Sequence, residues 1–449
     1  MSKRRSVLEN FEREREATER RVAEGIEQYR KGNATVTVRN ADGAPIPGAR
    51  VTALQRTHEF RFGANLFMLD ELETAEKNDA YKHSFAELFN IATLPFYWRD
   101  LEPTEGHPRF SRDSEPIYRR PPIDLCIDYC RAHGIEPREH CLNYETWIPD
   151  WLIDAPLPVI KQKLEERIRI LAERYREVIP RWEVTNETLY AHRGRKVSAF
   201  YHEPDFVEWS FKTAEKYLPN NKLIINDAHC NVWAGAFNGN RSAYYMQIER
   251  ALLKGARIDA IGMQFHMFFE REQEVAATRL YYKPSHLFEV MDTYAELGRP
   301  LGITEITVPA YSNAPEDEEL QADILEWLYS IWFSHPRMSE IIYWNLVDGY
   351  AAFAPQGDMT AGENRYFGGL LRFDLSKKPA YLRLYDLIRK RWHTEATLVT
   401  DRDGRCSFRG FFGDYALTAE VGGRRMTATA ALSSGGSGEI TLTADLPTK

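Results

Sequence analysis

Short apolar runs recur along the middle of the chain roughly every 40 residues, and between them lie longer stretches whose apolar positions fall at helical spacing. The runs are FRFGANLF near residue 60, NIATLPFYW near 90, EPREHCLNY near 136, RWEVTNE near 181, KLIIND near 222, IDAIGMQFH near 258, PLGITEI near 300 and EIIYWNL near 340. VIKQKLEERIRILAERYREV and DEELQADILEWLYSIWF typify the stretches between them, each with one apolar helix face. Eight strands alternating with helices predict a (β/α)8 TIM barrel over 59–392. A doubly wound open sheet competes, but it usually needs fewer strands, and the FGAN turn after the first run lacks a phosphate-cradling glycine set.

The two ends of the chain read differently. Residues 1–33 form a charged helical pattern, and 34–58 hold two alternating runs split by ADGAPIPG, the punctuation of a hairpin or arch. Over 393–449 short alternating runs return, with turns at RDG, FGD and VGG and a flexible SSGGSG. Because an isolated hairpin is marginal, the strands of 34–58 and 393–449 are expected to pair antiparallel into one small accessory β-sandwich flanking the barrel. Phe408, Phe411, Phe412 and Tyr415 would then serve either as a sugar-binding platform or, the simpler reading, as buried core.

Composition narrows the partners. A net charge of −8 with no long basic run argues against nucleic acid. No apolar run approaches the ~20 residues of a membrane span. The five cysteines lack metal-finger spacing and are expected to be free thiols. If Met1 is the native start, the charged N-terminus without an apolar signal core predicts a cytoplasmic protein; a trimmed signal peptide would make it secreted. The 23 Tyr, 23 Phe and 10 Trp stand out; many must fill the core, and a cleft that binds something with flat apolar faces would also use them.

In such barrels the active site lies at the C-terminal ends of the strands. Those ends carry Asn65, Tyr97, His140, Asn186 with Glu187, Asn226 with Asp227, Gln264 with His266, Glu305, and Trp344 with Asp348. Glu187 and Glu305 close the fourth and seventh strands, across the mouth from one another. Breaking a glycosidic bond takes an acid to protonate the leaving oxygen and a carboxylate to trap or stabilise the anomeric carbon. The charge of Glu305 is expected to raise the Glu187 carboxyl and keep it protonated near neutral pH. Asn186 would hold a sugar hydroxyl and His266 would orient Glu305. The competing reading is a strand-end salt bridge for either carboxylate and a satisfied structural histidine for His140 and His266. No closely spaced histidines follow the first strand and no G-x-S-x-G occurs, so neither a metal nor a cofactor nor a serine nucleophile is expected.

With these residues assembled, the chain resembles glycoside hydrolase family 10 over about 60–390. WEVTNE is similar to the family's W-D-V-V-N-E, IIND to Y-I-N-D, IGMQFH to I-G-L-Q-x-H, ITEITV to T-E-L-D-I, and YWNLVDGY to the W-G-x-x-D segment. The resemblance implies a retaining endo-β-1,4-xylanase-like enzyme, with Glu187 as acid/base, Glu305 as nucleophile, Asn186 as a sugar ligand and Gln264, His266 and Trp344 around the reacting sugar. Asp227 and Asn65 would support the site. It departs where the family grips the non-reducing side: TLPFYW stands for E-N-x-M-K-W, keeping only Trp98, and EHCLNYETWIPDW keeps His140, Pro149 and Trp151 while Glu139, Tyr144, Glu145 and Trp147 are new. The second Trp after W-G-x-x-D is lost near Ala352 and Phe353. Phe96, Tyr97 and Trp147 would replace hydroxyl-directed bonds by apolar faces, with Trp98 and Glu145 also at the substrate. The expected substrate is therefore a xylan-derived or decorated xylo-oligosaccharide. A β-glycoside with an apolar aglycone and a barrel that binds sugar without cleaving it are the alternatives. Oligomeric state is not legible.

Overall fold

The computed structural model describes residues 3–189 and 196–444; Met1, Ser2 and positions 445–449 of the expected terminal segments lie outside the described residues. Along the chain come β1 (Lys31–Asn40) and β2 (Arg50–Gln55), then β3 (Arg61–Asn65), β4 (Ile91–Pro95), β5 (Glu136–His140), β6 (Arg181–Asn186), β7 (Lys222–Asp227), β8 (Ala260–His266), β9 (Leu301–Thr307) and β10 (Met338–Tyr343). Last come β11 (Glu395–Val399), β12 (Arg405–Phe411), β13 (Gly413–Val421), β14 (Arg424–Leu432) and β15 (Glu439–Ala444). The chain divides into two compact units, one of residues 1–18, 62–332 and 337–383, the other of 19–61, 333–336 and 384–449.

In the first unit β3 to β10 close into a parallel barrel, so each of the eight apolar runs supplies one strand. These strands are largely buried on both faces because one side fills the barrel and the other meets helices; every residue of β6, β8 and β9 is buried. The helix Leu157–Tyr175, with proline in its first turn, buries Ile160, Leu164, Ile168 and Leu171 at three- and four-residue spacing. Inside the barrel the filling is partly ionic. Arg181 meets Glu340 at 3.4 Å, Glu340 meets Arg138 at 3.8 Å, and Arg138 meets Glu183 at 2.5 Å. Strand β10 does not neighbour β5 or β6 in the barrel, so this chain of charges crosses its interior. At the N-terminus Arg4 is buried and paired to Glu274 and Asp317.

The second unit is a sandwich of a three-stranded sheet, β12-β1-β15, and a four-stranded sheet, β11-β2-β13-β14, which share one core containing Val36, Val51, Phe408, Tyr415 and Leu417. One pairing departs from the antiparallel expectation: β1 runs parallel to β15. Phe408, Phe411 and Tyr415 are buried and Phe412 packs on the same core, so these rings are filling rather than a platform. The unit also takes up 384–392, which the sequence reading gave to the barrel. Aromatic packing explains this: the Trp392 ring stacks 4.2 Å from Phe333, which meets Phe60 edge-on at 5.0 Å. The helical pattern of 1–33 resolves into Glu9–Arg13 and Arg15–Tyr29 after a 3-10 turn, and β1 already begins at Lys31. All five cysteines are free thiols. Among the described residues no helix is long and apolar enough to cross a membrane.

Candidate active site

Strand β6 stops at Asn186 because Glu187 turns into the left-handed region, φ 49°, an uncommon conformation for a non-glycine residue and one found where a side chain must be aimed. Its N–H donates to Asn226 O at the end of β7. The Glu187 carboxyl thereby enters a cleft of about 270 Å³ shared with Glu305 from β9.

The two carboxyls meet at one amide. Gln264 Nε2, from β8, lies 3.2 Å from Glu187 Oε1 and 3.0 Å from Glu305 Oε1. Two oxygens reached from one nitrogen are at most about 6 Å apart, under the ~6.5 Å at which an intervening water fits. Glu305 Oε1 also accepts from Asn226 Nδ2 at 3.1 Å, and Oε2 faces His266 Nε2 at 3.1 Å. Glu187 Oε2 accepts the Tyr144 phenol at 2.5 Å. Asn186 Oδ1 accepts from both Asn226 and Gln264, which leaves its NH2 for the cleft.

Burial lifts both carboxyls, Glu187 to about 7 with help from the charge of Glu305, and Glu305 to about 8 with help from Glu183. Burial thus outweighs mutual repulsion, where the sequence reading relied on repulsion alone. Near neutral pH the pair holds one proton between its members. The donors decide where: three nitrogens surround Glu305, one nitrogen and a phenol surround Glu187, so the negative charge rests on Glu305. Burial also lowers His266 to about 4, which keeps that imidazole neutral.

A cleft at the C-terminal mouth of an eight-stranded barrel, with paired glutamates on β6 and β9, can be set against known proteins. The family model of glycosyl hydrolase family 10 matches residues 64–386. The chain belongs to glycosyl hydrolase family 10. This family-10 chain is 24% identical over 417 residues to the anti-sigma-I factor RsgI6 of Acetivibrio thermocellus, with 89% of this chain and 46% of that protein covered. It is 22% identical to endo-1,4-beta-xylanase 1 of Arabidopsis thaliana, with 91% and 38% covered. The chain therefore spans less than half the length of each of these curated relatives. Among solved structures, the intracellular xylanase TsXylA from Thermoanaerobacterium saccharolyticum matches with a TM-score of 0.57 at 20% identity, over 78% of this chain and 100% of that one. At that identity the likeness is one of fold.

Within the family-10 barrel the other expected residues divide into two groups. Tyr97, His140, Trp147 and Trp344 line the same cleft. Three others do not. Trp98 packs edge-on to Trp151 and donates its indole N–H to Glu102, facing a separate cavity. Glu145 is turned away from the cleft, its carboxylate taken up by the backbone N–H and hydroxyl of Ser198. Phe96 is fully buried against Tyr175 and Trp182. Asp227 lies under the Glu187 turn, bonded to Thr188, Leu189 N–H and Asn231, and Asn65 reaches Asn345 at 3.5 Å.

The wall of the cleft around Tyr97 and Trp147 is also less apolar than the sequence suggested. Arg119 and Arg120, from the long connection after β4, line the cleft together with Glu363. Arg119 donates to Asn345 Oδ1 at 2.9 Å, and Asn345 in turn donates to Glu363 at 3.0 Å. Arg120 lies over the Tyr97 ring at 4.1 Å and pairs with Asp100 at 2.6 Å. These arginines stand at no strand end; the unusual length of the connection after β4 was the only pointer to them. His140, Cys141 and Glu183 offer ligand atoms within 4.8 Å of one another, as a metal would need. Both nitrogens of His140 are already hydrogen-bonded and Glu183 is paired to Arg138, so a cation there would have to break those contacts.

Proposed function

We propose that the chain is a retaining glycoside hydrolase that cleaves β-1,4-xylosidic bonds in xylan-derived or decorated xylo-oligosaccharides. The observation that carries this is the single Gln264 nitrogen touching both carboxyls, which keeps them within the spacing of a direct double displacement. Curated relatives named as endo-1,4-beta-xylanases support the choice of sugar.

In the first step Glu187 gives its proton to the glycosidic oxygen as that bond breaks, and a Glu305 oxygen bonds to the anomeric carbon. In the second, Glu187, now ionised, takes a proton from water whose oxygen displaces Glu305, restoring both carboxyls. Asn226, Gln264 and His266 hold Glu305 in line, and Asn186 offers its NH2 to a hydroxyl beside the reacting carbon.

A profile of kcat/KM against pH checks the proton count. One proton shared by groups near 7 and 8 predicts a narrow bell with its maximum between those values, the acid limb reporting protonation of the pair and the alkaline limb loss of its last proton. A broad plateau from pH 4 to 7 would contradict the burial described here.

Gly262 offers an independent check on Asn226. A Cβ there would lie 2.6 Å from Asn226 Oδ1 and 2.8 Å from Thr304 Cγ2. Gly262→Ala is expected to lose about 1–3 kcal/mol by overpacking and, by displacing Asn226, to lower kcat more than it raises KM. Chemical denaturation and steady-state kinetics read the two effects.

Phe353, 71% exposed at the rim of the cleft, favours the second reading, a β-glycoside whose aglycone is a flat apolar group. A panel of aryl β-xylosides, aryl β-glucosides, xylo-oligosaccharides, xylan and glycosylated natural products separates them. Xylo-oligosaccharides hydrolysed best, with retention seen by NMR, support the first reading. Natural-product glycosides hydrolysed best support the second, and no turnover of any member sinks both.

A further inference from the structure

Two residues of the cleft are held by a third that never reaches it. Glu183, on β6, is wholly buried and sits below the reacting pair. Its Oε2 accepts from Arg138 Nη2 at 2.5 Å, and its Oε1 faces His140 Nδ1 at 2.9 Å and Asn226 Nδ2 at 3.3 Å. His140 Nε2 in turn lies 3.0 Å from the Tyr97 phenol oxygen. Tyr97 has no freedom to look elsewhere: its ring is wedged against Trp147 at 4.8 Å and Phe67 at 5.8 Å, with the Arg120 guanidinium over its face.

The direction of each hydrogen bond follows from the first. The buried Arg138 guanidinium donates to one oxygen of the Glu183 carboxylate and the Asn226 amide to the other, so this ion-paired group only accepts. His140 must then carry its proton on Nδ1. A neutral imidazole so arranged has a lone pair at Nε2, and the only proton available to it is that of the phenol. The Tyr97 O–H therefore points away from the cleft, and the cleft sees oxygen lone pairs alone.

We propose that Glu183, His140 and Tyr97 form a polarity-setting relay that makes Tyr97 an acceptor-only contact, selecting sugars with a free hydroxyl at the facing position and rejecting the same sugars alkylated or acylated there. The proposal rests on the hydrolase reading of the cleft. Tyr97 is the binding residue; Glu183 and His140 position its proton.

A panel of aryl glycosides that are monodeoxy, or O-methylated, at each ring position tests it with wild type and Tyr97→Phe. At one position the wild type should lose about 10- to 100-fold in kcat/KM on deoxygenation. Tyr97→Phe should show a similar loss on the parent sugar and no further loss on that one deoxy analogue, while losses at other positions add normally. Losses that add at every position would overturn the relay.

Glu183→Gln supplies the readout that a merely structural role would not give. Arg138 keeps the amide oxygen on its side, so the NH2 faces His140 Nδ1. The imidazole proton moves to Nε2, and the phenol O–H turns into the cleft. This variant should shift preference toward the O-methyl analogue at the same position by tenfold or more; an unchanged ranking in a folded variant contradicts the proposal. If Glu183→Gln does not fold, the Tyr97→Phe cycle still decides. Calorimetric binding of the same panel to wild type separates the two readings: binding that ranks as described without turnover sinks the hydrolase and keeps the relay, and binding indifferent to the position sinks the relay.

Discussion

Glu305→Gln is expected to abolish turnover, lowering kcat on every glycoside by about four orders of magnitude or more, because the amide cannot bond to the anomeric carbon and no glycosyl-enzyme forms. Glu187→Gln should behave differently. Without an acid, substrates whose leaving group needs protonation should lose about 10²–10⁴-fold, whereas an aryl glycoside with an acidic phenol should still glycosylate Glu305, releasing phenolate, and then stall, since no base activates water. A burst of phenol equal to the enzyme concentration is the signature. Either variant retaining a tenth of wild-type activity on a xylo-oligosaccharide would remove that residue from the mechanism.

The same substitution has a stability signature of fixed sign. The native Glu187–Glu305 pair, with values of about 7 and 8, keeps protons that the two unfolded carboxyls, at ordinary values near ~4.3, have already released. Between those values the native state binds more protons, so the pair's contribution to stability falls as pH rises. Glu305→Gln should therefore gain in Tm relative to wild type as pH goes from 5 to 9. A buried ionisable nucleophile is held at the expense of the fold, and the amide relieves it.

The second large effect lies below the site. Arg138→Ala is expected to destabilise the protein by about 3–5 kcal/mol, because it leaves Glu183 buried without its guanidinium partner and Glu340 with Arg181 alone. Removing the arginine also frees Glu183 from its strongest partner, so denaturation should be accompanied by loss of the His140 and Tyr97 arrangement, seen as a rise in KM before any unfolding. Arg138→Met, which fills the volume but removes the same counter-charge, should fare little better. Equal stability for wild type and Arg138→Ala would mean that the interior carboxylates are neutral.

The barrel was legible because its strands are buried on both faces and spaced by helices, and a period of that kind survives any amount of change at single positions. Glu187 and Glu305 were legible as the carboxylates at the C-terminal ends of β6 and β9. Their separation was not, since it depends on the diameter of a closed sheet and on one glutamine reaching across it. The errors fall just past the strand ends, where alternation stops. Phe96 and Tyr97 are neighbours after β4, yet one is buried among Tyr175 and Trp182 and the other faces the cleft. Glu145 and Trp147 share one 3-10 turn, and only the tryptophan reaches the cleft. A sequence names such residues but gives no period from which to read their direction. Arg119 and Arg120 escaped for the opposite reason, entering the site from a connection with no period at all.

The pairing of β1 sets an order of events during synthesis. Thr35 and its partner Ser407 stand 372 positions apart, and β15, on the other side of β1, is later still. A ribosome adding ~5–20 residues per second finishes the whole barrel before β1 has either neighbour. For tens of seconds the apolar face of β1 and β2 has no mate, an open edge of the kind that recruits another nascent chain. Yield in a cell should consequently respond to translation speed and crowding through these two strands, and less through the barrel, where every pairing but the closing one of β3 with β10 joins consecutive strands.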